Sequence, residues 1–267
     1  MTNNPSYSLS KALGICAAIA IAFAPLSSAT EGPSSFDLRH EACLDDISDN
    51  AEAAYETALT WQNEGGGYRA QHCIAMALFG LGRTEQAAHR LERIARAPHS
   101  VTDRQKADYF FEAANFWLLA EDYDKTIAAS SAGLELRSEH LDLLITRARG
   151  YAGQDNFDAA QKDLNRVLKL SPSRADSYRY RADLHLRKGD HAAALRDINK
   201  SLDLDETQVE TAVLRGDIRE AIRKAEAAVI EKRFEPDTPL RPASDKDNDL
   251  IIPPFIDGPI DKDGDEK

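Results

Sequence analysis

Three short strings constrain this chain more than anything else in it. Leu134-Glu135-Leu136, Leu168-Lys169-Leu170 and Leu202-Asp203-Leu204 stand 34 residues apart. The same step aligns the small residues Ala114, Ala148 and Ala182, the turn-like strings at 121–124, 154–158 and 188–191, and Thr126, Ala160 and Ala194. A fixed period of this length marks stacked supersecondary units, none of which can bury its apolar face alone.

Each unit reads as two helices. Phe110, Ala113, Ala114 and Trp117 follow the spacing i, i+3, i+4, i+7, one apolar helical face. A polar turn at 121–124 ends that helix, and Ile127, Leu134 and Leu136 lie in a second apolar-periodic stretch. Pro172 blocks continuation of the corresponding helix one unit later. Alanine at 114, 148 and 182 leaves room for two helix backbones to approach closely. The predicted fold is therefore all-α, a solenoid of helix-turn-helix units.

These residues resemble the tetratricopeptide repeat family. Its first-helix pattern is matched by Phe110-Ala113-Ala114-Trp117, by Leu144-Arg147-Ala148-Tyr151 and by Tyr178-Arg181-Ala182-His185. Second-helix matches are Ala160, Leu164 and Val167, then Ala194, Ile198 and Ser201, with Pro172 closing one unit. Arg147 and Arg181 depart from the pattern, which has Leu there, and Thr126 replaces its Ala.

The resemblance divides the chain into four repeats at 68–98, 107–140, 141–174 and 175–206. The first is carried by Gln71, Ile74, Ala75 and Leu78 with Ala87, Leu91 and Ile94. About five extra residues follow it. Residues 36–67 hold two helices split near 48–50, an amino-terminal cap or degenerate repeat. Residues 207–234 read either as a capping helix or as a shortened repeat turning at Gly216. Residues 235–267 carry six prolines and ten acids against four bases, the composition of a disordered acidic tail. Leu250-Ile251-Ile252 with Phe255-Ile256 is its one apolar island, free to stay inert or to dock on a partner or on the solenoid.

The amino terminus has a different character. Lys11 precedes a thirteen-residue apolar run at 12–24, then Pro25 and Ser27-Ser28-Ala29. This order describes a secretory signal peptide at 1–29, cut after Ala29. The run is shorter than the ~20 residues a membrane span needs, so no span is expected once the signal is removed. Removal would take Lys11 alone and shift the formal charge from −12 to −13. Export, through a bacterial inner membrane into the periplasm, would leave Cys43 and Cys73 in an oxidising compartment, where a disulfide persists. The resemblance puts both on successive first helices, which are neighbours. Two separate buried thiols are the alternative.

The acidic balance argues against nucleic acid, whose phosphates need a basic face. No HExxH, CxxC or GxSxG string occurs. The aspartate-rich strings at 245–249 and 261–265 lack the glycine and glutamate an EF-hand requires. No metal, cofactor or catalytic group is expected.

The resemblance instead implies a groove lined by first helices that holds a peptide or a partner's helix. The family's groove positions fall on His72, Met76, Phe79, Phe111, Asn115, Leu118, Ile145, Arg149, Arg179 and Asp183. Arg149 and Arg179 together would select an acidic or carboxylate-ended peptide. Alternatively they pair with Asp142, Asp176 or Asp183 as ordinary helical surface does. The expected role is a protein-interaction module or assembly scaffold. An enzyme with dispersed active residues and a self-assembling structural protein are the other classes.

Overall fold

The structure is a computed structural model and describes residues 34–98 and 101–233. The signal peptide and the acidic tail expected from the sequence lie outside the described residues. Within them stand ten helices and no strand. A long first helix, α1 (Ser35–Asn63), is followed by four pairs: α2 (Gly67–Gly80) with α3 (Thr84–Arg96), α4 (Asp103–Leu119) with α5 (Tyr123–Leu136), α6 (Leu141–Gly153) with α7 (Phe157–Leu170), and α8 (Ala175–Arg187) with α9 (His191–Leu204). The last helix is α10 (Val209–Arg233).

The turns repeat as the sequence does. Backbone φ is positive at Glu121, Asp155 and Gly189, 34 residues apart, and at Gly82 one unit earlier. The next residue caps the second helix: Asp122 accepts from the Lys125 amide, Asn156 from Ala159 and Asp190 from Ala193. Each cap satisfies one amide that the first helical turn leaves without a partner. Glycine takes the left-handed conformation freely, whereas Glu121 and Asp155 adopt it at a steric cost.

Helices pack in chain order, and each of α4, α6 and α8 also touches the first helix of the next unit or α10. The core accordingly comes in three successive clusters. One runs from Cys43 to Ala129, one centres on Leu143, Leu144, Leu164 and Val167, and one joins Ala182, Ala194, Ile198 and Ile218. Such a stack is stabilised by nearest-neighbour interfaces. Ala114, Ala148 and Ala182 are all buried. Gly133 serves the same close approach between α5 and α6, since a β-carbon there would lie 2.6 Å from the Leu143 side chain.

Both ends refine the expected boundaries. The cap at 36–67 is, as expected, two helical segments, which meet within α1 at a non-helical Asn50 (φ −155°, ψ 89°). The Asn50 side chain accepts from the Ala53 amide, so the second segment starts with its own cap. At the other end α10 runs unbroken through Gly216, which removes the shortened-repeat reading. Only Thr211 and Ile218 of α10 are fully buried, and Val229 and Ile230 near its end are exposed.

The two arginines that break the family pattern have a structural reason. Arg147 reaches from α6 to Asp163 on α7 with Nε–Oδ2 2.7 Å and Nη2–Oδ1 2.8 Å. Arg181 makes the same two-pronged pair with Asp197 of α9, at 2.6 and 2.8 Å. Each pair ties the two helices of one unit together with paired charge-assisted bonds where the family pattern has apolar contact.

Candidate peptide-binding groove

The inner face is built by α4, α6, α8 and α10. A pocket of about 430 Å³ opens between Leu118 and Leu119 of α4, Arg149, Ala152 and Gly153 of α6, and Tyr180, Asp183, Leu184 and Arg187 of α8, walled by Tyr123. Gly153 forms part of this wall because a β-carbon there would strike the Tyr123 ring at 2.4 Å. A second pocket of about 370 Å³ shares Tyr180 and Asp183, adds Arg179, and is closed by Val209, Val213, Leu214 and Asp217 of α10.

Tyr180 is the centre of the site. The Arg149 guanidinium lies 5.1 Å and the Arg179 guanidinium 4.3 Å from its ring centroid, both within cation–π range. Of the three acids expected to neutralise these arginines, Asp142 and Asp176 are both taken by Arg174, and Asp183 stays within electrostatic reach of Arg179. The Arg179 Nε is buried and has no hydrogen-bond partner. Burial pushes the Asp183 carboxyl above its usual value, opposed by Arg187 and Arg179. Arg187 itself is held by Asp155 at 2.5 Å and lies over Phe157.

The structure brings together Leu118, Arg149, Arg179 and Asp183 of the residues expected in the groove, and separates the others from them. Ile145 is a correction: at 5% exposure it belongs to the second core cluster. His72 is another, 7% exposed and hydrogen-bonded on both sides. Its Nδ1 lies 2.8 Å from His40 Nε2 and its Nε2 lies 2.8 Å from Glu112 Oε2. Asn115 uses one amide N–H to donate to the Phe111 carbonyl at 2.9 Å. Met76 and Phe111 pack against the core clusters. Phe79, 37% exposed, stacks on Phe116 with ring centroids 4.3 Å apart. These side chains sit on first helices as expected, with Phe79 exposed, Met76, Phe111 and Asn115 half-buried, and His72 and Ile145 buried.

Sequence reasoning missed Tyr180, Arg187 and the His40–His72–Glu112 chain. Tyr180 lies one residue beyond Arg179 on α8, and only the packing of α6 and α10 around it makes it a platform. The Arg147–Asp163 and Arg181–Asp197 pairs did carry a signal, because both members recur at 34 residues.

Cys43 of α1 and Cys73 of α2 face each other with Cα atoms 6.2 Å apart, within the span of a disulfide. Among the described residues no group of three or more potential metal ligands converges, and no helix is long and apolar enough to cross a membrane.

Residues 145–209, α6 through the start of α10, match the tetratricopeptide repeat family model. That stretch carries tetratricopeptide repeats. Two solved structures with TM-scores above 0.5 share the chain's solenoid fold. MamA of Desulfovibrio magneticus is 15% identical, over 66% of this chain and 98% of that one, with a TM-score of 0.54. A thermophilic tetratricopeptide protein of Thermus thermophilus is 15% identical over 68% and 98%, with a TM-score of 0.51. The first tetratricopeptide domain of Spaghetti, solved with an HSP90 peptide, is 24% identical over 46% and 97%, with a TM-score of 0.43. No curated protein matches the sequence. Tetratricopeptide folds typically serve as protein–protein interaction modules.

Proposed function

We propose that this chain is a non-catalytic interaction module or assembly scaffold that holds an acidic peptide, or an acidic face of a partner helix, across α6, α8 and α10. The observation that carries this reading is the Arg149–Tyr180–Arg179 platform. Two guanidinium groups share one aromatic ring, and a buried Arg179 N–H has no acceptor. The apolar wall of Leu118, Leu119 and Leu184 beside the cations suits a ligand in which an acid adjoins a branched apolar side chain.

Arg149→Ala with Arg179→Ala tests this against a panel of acidic peptides. Binding should weaken at least tenfold while the thermal midpoint barely moves. Unaltered affinity for every peptide that binds the unmodified chain would remove the site.

Export to the periplasm is part of the same proposal. It is supported by the order of basic, apolar and small residues at 11–29 and by a cysteine pair at bridging separation. Amino-terminal sequencing of the secreted protein should begin at Thr30, and thiol titration should find no free cysteine. An intact Met1 in a cytosolic fraction would overturn it.

A further inference from the structure

The platform asks for an acid joined to aliphatic side chains, and the chain itself supplies that pattern. Asp247-Asn248-Asp249 runs directly into Leu250-Ile251-Ile252, with Phe255-Ile256 following. We infer that residues 245–257 of this chain occupy the α6–α8–α10 groove in cis, with an aspartate on the Arg149–Tyr180–Arg179 platform and aliphatic side chains in the adjoining pocket, and that an external partner must displace them. This inference rests on the groove reading above and adds its regulation.

Reach permits the contact. The first turns of α10, at Val209, Val213 and Asp217, line the pocket beside Arg179. The described part of α10 reaches Arg233, sixteen residues past Asp217 and about 24 Å farther along its axis. The thirteen residues 234–246 can extend to about 43 Å, enough to double back along α10. Charge is complementary at the platform, where residues 235–267 bring ten acids against four bases to two arginines.

The size of the pocket, about 430 Å³, lies in the range of small ligand sites. It is lined by Leu118, Leu184 and the 63%-exposed Leu119, so aliphatic side chains there would cover surface now open to water. Asp183, Glu210 and Asp217 also line the two pockets and oppose an incoming acid. That repulsion keeps the contact weak enough to be displaced. At an intrinsic Kd of about 0.2 mM, a tethered segment at about 1 mM effective concentration would weaken external binding about sixfold.

The test uses the full chain and, as probe, a fluorescein-labelled peptide of residues 245–257 read by anisotropy. A chain carrying Asp247→Asn, Asp249→Asn, Ile251→Ser and Ile252→Ser should bind the probe at least fivefold more tightly than the unmodified chain. Adding Arg149→Ala and Arg179→Ala to that variant should reduce binding at least tenfold, with Arg149→Lys and Arg179→Lys retaining part of it. Circular dichroism should stay unchanged throughout.

Equal probe affinity in the unmodified and tail-substituted chains would overturn the cis contact. If that binding still needs the two arginines, the groove reading stands. Failure of the tail-substituted chain to bind the probe would also overturn the cis contact. If it then binds none of the acidic panel either, the groove reading falls with it.

Discussion

Removing the carboxylate of Asp163 should destabilise the array by about 2–3 kcal/mol. The magnitude follows from what Asp163→Ala leaves behind. Arg147 loses two charge-assisted bonds at 2.7 and 2.8 Å. Its guanidinium stays where it is, 22% exposed against 8% for the aspartate it has lost. Breaking a fully buried pair costs about 3–5 kcal/mol, mostly from the stranded charge. Here residual water access and the Ser131 hydroxyl at 3.3 Å offset part of that.

The equivalent Asp197→Ala should cost less, about 1–2 kcal/mol, because Arg181 keeps Asn165 as an acceptor at 2.8 Å. Replacing both partners, as Arg147→Met with Asp163→Leu, restores apolar contact at a position where the family pattern has leucine. It should return stability to within about 1 kcal/mol of the unmodified protein. Urea titration followed by circular dichroism measures all three. A cost below about 0.5 kcal/mol for Asp163→Ala would refute the reasoning, as would a double replacement no better than the single one.

Glu121→Gly should stabilise by about 0.5–1 kcal/mol in the same titration, because a glutamate now holds φ at 58° where Gly82 and Gly189 stand in equivalent turns. Burial, and next the neighbouring His72, push His40 down to about 4 from 6.5. The unfolded chain therefore takes up this proton first, and stability falls as pH drops from about 6.5 to about 4. A full shift would be worth about 3 kcal/mol; solvent screening of the half-buried ring reduces it to about 1–2 kcal/mol. Melts at pH 7 and pH 4.5 should show this difference, and His40→Gln should lose it. Cys43→Ser with Cys73→Ser, compared under oxidising conditions, should lower stability by about 3 kcal/mol, given a separation of 30 residues; an unchanged melt would mean the pair is not bridged.

The architecture was legible because it is periodic. A step of 34 residues repeated across helix faces, turns and small residues admits one kind of fold, and each of α4 to α9 depends chiefly on its immediate neighbours. Even the caps at Asp122, Asn156 and Asp190 follow from residue type and spacing alone. Local chemistry is enough for these, since a capping side chain bonds its own helix three residues away.

Tertiary structure decided which inner-face residues are available. His72, Ile145 and Asn115 occupy the same first-helix register as Arg149 and Arg179. For His72 and Ile145 the difference lies in what the neighbouring units place against them: His40 and Glu112 on His72, and the second core cluster around Ile145. Likewise the unbroken course of α10 through Gly216 was an open alternative in the sequence. A first-helix position says where a side chain starts. Whether it ends in core, in a hydrogen-bonded chain or on a free platform depends on partners 30 to 40 residues away, whose identities vary from one unit to the next while the period does not.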